Sequence, residues 1–305
     1  MAGAVRATRS WLTLSLLTLA GCTAGGALPE GTTVAPVGRW PEDVLYDPES
    51  DRVFVANEGS ATISVLTANA APVGTLALAT RAGHLAVDSR LGHLYAPNEG
   101  SGFVSAFGTR DLRERFRVPT GQAPHGIAVD TASHRVFVGN EADASLTAFD
   151  GRTGRVLYTA PVGVGPGGVA ADPVSGRVLV VSVKEDRVLV LDGATGAPHG
   201  SIGVGRGPTH LRVNGATGIA YVLNTDADTV NVIDARALLP RATIQVGRYP
   251  IGIALDEPGR RAWIVNNRAN TVSVLDDTAL IVRPRGKFPT TCRAQRSTGA
   301  PDPST

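Results

Sequence analysis

A register of about 42 residues runs through most of this chain. Proline or a stand-in recurs at Pro41, Ala82, Pro124, Pro166, Pro208 and Pro250, at intervals of 41, 42, 42, 42 and 42 residues. Six positions after each comes a turn former: Asp47, Asp88, Asp130, Asp172, Asn214 and Asp256. Sixteen positions after each comes Asn57, Asn98, Asn140, Ser182, Asn224 or Asn266. A period near 40 with short β runs marks a propeller, in which each repeat builds one sheet.

Repeat three shows the unit. Gly126 to Asp130, Arg135 to Asn140, Ser145 to Asp150 and Val156 to Val162 read as four strands separated by Gly, Asp, Asn and Ser clusters. Their Val, Ile, Leu and Ala content suits sheets covered on both faces. No sustained helical period follows the N-terminal segment, so the expectation is an all-β propeller of six four-stranded blades over residues 32–283. In repeat six, Gly252 to Asp256, Arg261 to Asn266 and Thr271 to Leu275 read as strands, and a fourth is degraded. Because Val37 to Pro41 matches Val246 to Pro250, Thr32 to Val37 is expected to complete that last blade.

VFVAN from Val53, VFVGN from Val136, and ATISVL, DTVNVI and NTVSVL from Ala61, Asp228 and Asn270 resemble the YVTN-type β-propeller repeat, as do the VG-x-x-P junctions. The resemblance implies the fold over about residues 32–283 and says little of function. That family includes surface-layer and periplasmic propellers. Related sheets serve in nitrous oxide reductase, amine dehydrogenases and lactonases. Many members have seven blades, which keeps that count as the alternative.

Arg6 and Arg9 precede an apolar run, Trp11 to Ala20, that is too short to span a bilayer. The segment reads as an export signal. Its Leu19-Ala20-Gly21-Cys22 ending resembles a bacterial lipobox, which implies removal of residues 1–21 and lipidation of Cys22. Residues 22–31 then form a Gly- and Ala-rich tether, and residues 284–305 a basic tail with Arg285, Lys287, Arg293 and Arg296. The expected address is outside the cytoplasm, anchored in the envelope membrane through Cys22. With Cys22 lipidated, Cys292 has no partner for a disulfide.

Removing Arg6 and Arg9 from 29 basic residues leaves 27 against 27 acidic ones. No basic patch crosses the repeats, which argues against nucleic acid. The expected partners are the membrane, an envelope protein or a small ligand, with the protein itself a monomer.

In an up-and-down blade the loop entering the first strand and the loop joining the second to the third open on one face. The proline motifs and asparagine turns therefore share that face, and here the repeats diverge. One position past the proline stand Glu42, Gly83, His125, Gly167, Thr209 and Ile251; two past it stand Asp43, His84, Gly126, Gly168, His210 and Gly252. Glu42, Asp43, His84, His125 and His210 could bind a ligand. The imidazoles of His84, His125 and His210 could instead hold a divalent metal such as zinc or copper. A third reading has each histidine bonding neighbouring backbone to lock adjacent blades. Arg212 replaces a small packing residue on the side of the strand shared with His210. It either meets a carboxylate or faces the channel and binds an anion. Asn57-Glu58, Asn98-Glu99 and Asn140-Glu141 give part of the face an acidic rim, with each Asn read as capping a tight turn.

Several motifs fail. Gly163 to Gly168 precedes a strand rather than a helix, and Asn224 to Asp228 lacks the rest of a calcium loop. No G-x-S-x-G elbow occurs. Three functions remain: a binding scaffold, which the absence of a catalytic motif favours; a metal-assisted, lactonase-like hydrolase; and a periplasmic redox or copper accessory.

Overall fold

A computed structural model describes residues 34–256, 260–276 and 282–287, the last group as backbone only. The signal, tether and most of the basic tail, with Cys22 and Cys292, lie outside the described residues. The fold is a six-bladed, all-β propeller. Six antiparallel sheets each take four consecutive strands in chain order. Sheets 1 to 6 cover residues 41–77, 86–119, 124–161, 166–203, 208–245 and 250–287.

Strands Pro124–Asp130, Arg135–Asn140, Ser145–Asp150 and Val156–Pro161 make sheet 3, as its sequence pattern predicts. Alternation along Arg135–Asn140 sends Val136 and Val138 toward sheet 2 and Phe137 toward sheet 4. Among the described residues, five apolar clusters each join two consecutive sheets. Outer strands contribute little. Each of the first five buries one apolar residue: Leu76, Val118, Ala160, Ile202 or Ile244.

Closure differs from the expectation. The fourth strand of sheet 6 is Val282–Lys287, paired with Thr271–Asp276, so the chain's later end fills the place assigned to Thr32–Val37. Residues 34–37 carry no strand, and the propeller extends through Lys287, past the expected boundary at 283. The matching VGRWP and VGRYP segments report a shared loop rather than a shared outer strand.

The periodic polar residues take two different structural tasks. Asp47, Asp88, Asp130, Asp172 and Asn214 cap the first turn of their sheets, accepting backbone N–H groups two or three residues on. Of the asparagines, Asn98 accepts the loop N–H groups of Ala79 and Thr80, but the other four cap no turn. Asn57 has φ −111°, and its amide donates to Thr62 and Ser64 on the next strand. Asn140, Asn224 and Asn266 repeat that pattern. Left-handed geometry falls four residues later, at Ala61, Gly102, Ala144, Asp186, Asp228 and Asn270.

Candidate functional site

The two loops expected on one face meet in every sheet. The N–H groups of Glu58, Glu99, Glu141, Val183, Thr225 and Asn267 donate to the carbonyls of Trp40, Arg81, Ala123, Gly165, Gly207 and Tyr249, at 2.9–3.1 Å. Just past the proline position the ladder is irregular, with register shifts at Pro41/Asp43, Pro166/Val169, Pro208/His210 and Pro250/Gly252. Such bulges re-aim side chains away from the sheet. That local break puts the divergent residues at the channel mouth.

There the three histidines meet. The His84 ring lies 4.7 Å from that of His125 and 4.9 Å from that of His210, both edge-on. Sheets 2 and 5 are not neighbours, so the second contact crosses the centre of the ring. Carboxylates hold two of the imidazoles. His125 Nδ1 bonds Glu99 Oε1 at 2.8 Å, and His84 Nδ1 lies 3.8 Å from Asp43 Oδ2. Asp43 also accepts the Leu85 N–H at 2.9 Å, and Glu99 accepts the Gly83 N–H at 3.1 Å. Arg81 bridges Glu58 and Glu99, at 2.8 Å each. Sheets 1, 2 and 3 are thereby joined by one polar chain.

His210 is the exception. Its Nδ1 is enclosed and has no hydrogen-bond partner. Burial, then the charges of His84 and Arg212, push its pKa well below the ordinary histidine value, so it is neutral. Burial opposes charge on His125 too, but the Glu99 hydrogen bond and charge, followed by Glu141 and Glu42, raise it. For Asp43, burial is outweighed by His84, Arg212 and the Leu85 N–H, and its pKa is lowered. Glu42 sits exposed at the rim, yet crowding by surrounding protein raises its pKa against the pull of His84. Arg212 is half-buried. Among the described residues it has no hydrogen bond or ion pair; its charge reaches Asp43 and His210 through space.

The structure thus brings Asp43, His84, His125 and His210 together, with Glu42 and Arg212 within electrostatic reach. Among the described residues, no group of three His, Cys, Asp or Glu side chains is arranged to hold a metal ion.

A cavity of about 150 Å³ opens beside His125 and His210, between sheets 3, 4 and 5. Glu141, Pro166, Val183 and Thr209 complete its walls. Gly167 is part of its wall, and sheet 4 has glycine at both divergent positions, Gly167 and Gly168. There the backbones close in: a Cβ on Gly168 would lie 2.9 Å from Leu211 N and 3.0 Å from His210 Cα, and one on Gly126 would collide with the Gly167 carbonyl. In the sequence Glu99 and Glu141 stand out only as an acidic rim and Thr209 only as a divergent position, while Arg81 and Val183 carry no mark. The recurring Asn-Glu pair was the available signal.

Fold and site together define the chain as a six-bladed β-propeller with a polar, histidine-lined channel mouth. No protein-family model matches the chain, and no curated protein matches it.

Proposed function

We propose that the protein is a lipid-anchored, extracytoplasmic binding scaffold whose channel mouth holds a small ligand or a partner's side chain. The observation that carries this is the convergence of chemistry-bearing side chains from sheets 1, 2, 3 and 5 around one His84-centred contact, beside a cavity. Propellers place function at such a mouth because every blade contributes one loop to it. The lipobox-like LAGC ending and the resemblance to YVTN-type repeats support the address.

Two experiments test the two halves. Thermal denaturation of the full chain in detergent against a panel of small metabolites should give a stabilising ligand whose effect is lost in His84→Ala. A panel without any His84-dependent shift would overturn the binding reading. Mass spectrometry of the N-terminal peptide should show diacylglyceryl on Cys22, and Cys22→Ala should move the protein to the aqueous phase. An unmodified Cys22 would overturn the anchor.

A further inference from the structure

Three sheets carry glutamate at the same turn, and two of these are already engaged. Glu58 pairs with Arg81, and Glu99 with Arg81 and His125. The Glu141 carboxylate alone has no hydrogen bond or ion pair among the described residues, and Glu141 is the one that lines the cavity. The histidines repeat the pattern. Asp43 and Glu99 face His84 and His125, while His210, also on the cavity wall, has an unpartnered Nδ1. Glu141 and His210 therefore border one space, although the His210 Nδ1 itself is enclosed.

That space has three chemical sectors. Glu141 offers a carboxylate with no ion pair among the described residues, felt by His125 only through space. His125, with Nδ1 committed to Glu99, has only its Nε2 side left to donate. Pro166 and Val183 supply an apolar wall. A cavity of roughly 150 Å³ admits a benzene-sized guest, about six non-hydrogen atoms. A purely cationic guest would leave the Nε2 side of His125 unmatched, and a purely anionic one would face Glu141. We propose that this cavity binds a small zwitterion of the α-amino acid class, with its ammonium group on Glu141 and its carboxylate on His125. The proposal rests on the channel-mouth reading and names the ligand for it. His210 and Thr209 border the guest on the side of sheet 5, and the cavity volume of about 150 Å³ limits the guest to about alanine size.

Calorimetric titration of the full chain in detergent with alanine, N-acetylalanine and alaninol tests it. Alanine should bind, and each analogue lacking one charge should bind at least about tenfold more weakly, the loss of one charge-assisted contact. Glu141→Gln should weaken alanine by about as much; as an exposed residue, Glu141 can be changed without disturbing the fold. Val183→Phe should abolish binding by filling the cavity. Equal affinity for all three compounds, no effect of Glu141→Gln, or no alanine binding would overturn the proposal. If alanine is silent while a metabolite from the panel stabilises the protein in a Val183→Phe-sensitive way, the zwitterion class fails and the channel-mouth reading stands. If no panel compound acts through His84 either, both fail.

Discussion

Replacing Glu99 with Gln isolates the charge that joins sheets 2 and 3 at the mouth. Removing one partner of a fully buried ion pair costs about 3–5 kcal/mol. Here the side chains of His125 and Glu99 are 30% and 10% exposed, so solvent screens part of the interaction. About 2 kcal/mol of destabilisation is expected near pH 6. The pH dependence is the sharper part. Because the folded pKa of His125 is raised, its contribution is whole below the unfolded value of about 6.5 and is lost as pH rises through the folded value. Glu99 is lowered, so its contribution is present above its unfolded value and disappears as pH falls through the folded one. The stability gap between wild type and Glu99→Gln should therefore be widest near pH 6 and shrink toward pH 9. The remainder is the Arg81–Glu99 ion pair. Urea unfolding at pH 6, 7.5 and 9 with a constant m-value measures it. A gap unchanged between pH 6 and pH 9 would refute the assignment of a charged His125.

Four further outcomes follow from the same structure. Gly168→Ala should lose about 1–3 kcal/mol in urea unfolding, because backbone atoms of sheet 5 cannot retreat from the new methyl. Gly203→Ala, with nothing within 4 Å of its Cβ, should stay within about 0.5 kcal/mol of wild type. Arg236→Ala should cost about 2–3 kcal/mol, since it leaves the fully buried Asp172 without its two guanidinium contacts at 2.8 and 3.0 Å; a calorimetric Tm unchanged from wild type would count against it. His210, neutral when folded, should contribute a loss of stability as pH falls below about 6.5, where the unfolded chain takes up the proton. His210→Gln should flatten that acid limb.

The inner three strands of each blade were legible because their information is local. Alternating Val, Leu and Ala between Asp and Asn turns fixes strands such as Arg135–Asn140 without knowledge of neighbours. The last outer strand was not legible. Val282–Lys287 contains Pro284 and Gly286, and its pairing sets Arg285 opposite Val272, where the five other sheets pair two apolar residues. Backbone hydrogen bonding, not side-chain pattern, defines that strand. Several of the divergent positions, those of Asp43, His84, His125 and His210, lie together in the structure. Their partners could not be read, because Asp43 meets Leu85 and Glu99 meets His125 across blades. Asn57 misled for a related reason: its amide serves the third strand of its own sheet, a contact that turn propensity does not encode.

The inner strand of sheet 4 buries six of its seven residues, whereas those of sheets 1 and 6 bury one each. Firmness is therefore graded around the ring, and local opening should begin in the first and last blades. Amide exchange there should be fastest, and slowest along Pro166–Asp172. The cavity borders the firm sector. Thermal breathing is thus kept away from the groups that would grip a guest, and the mouth can hold its binding geometry before any ligand arrives.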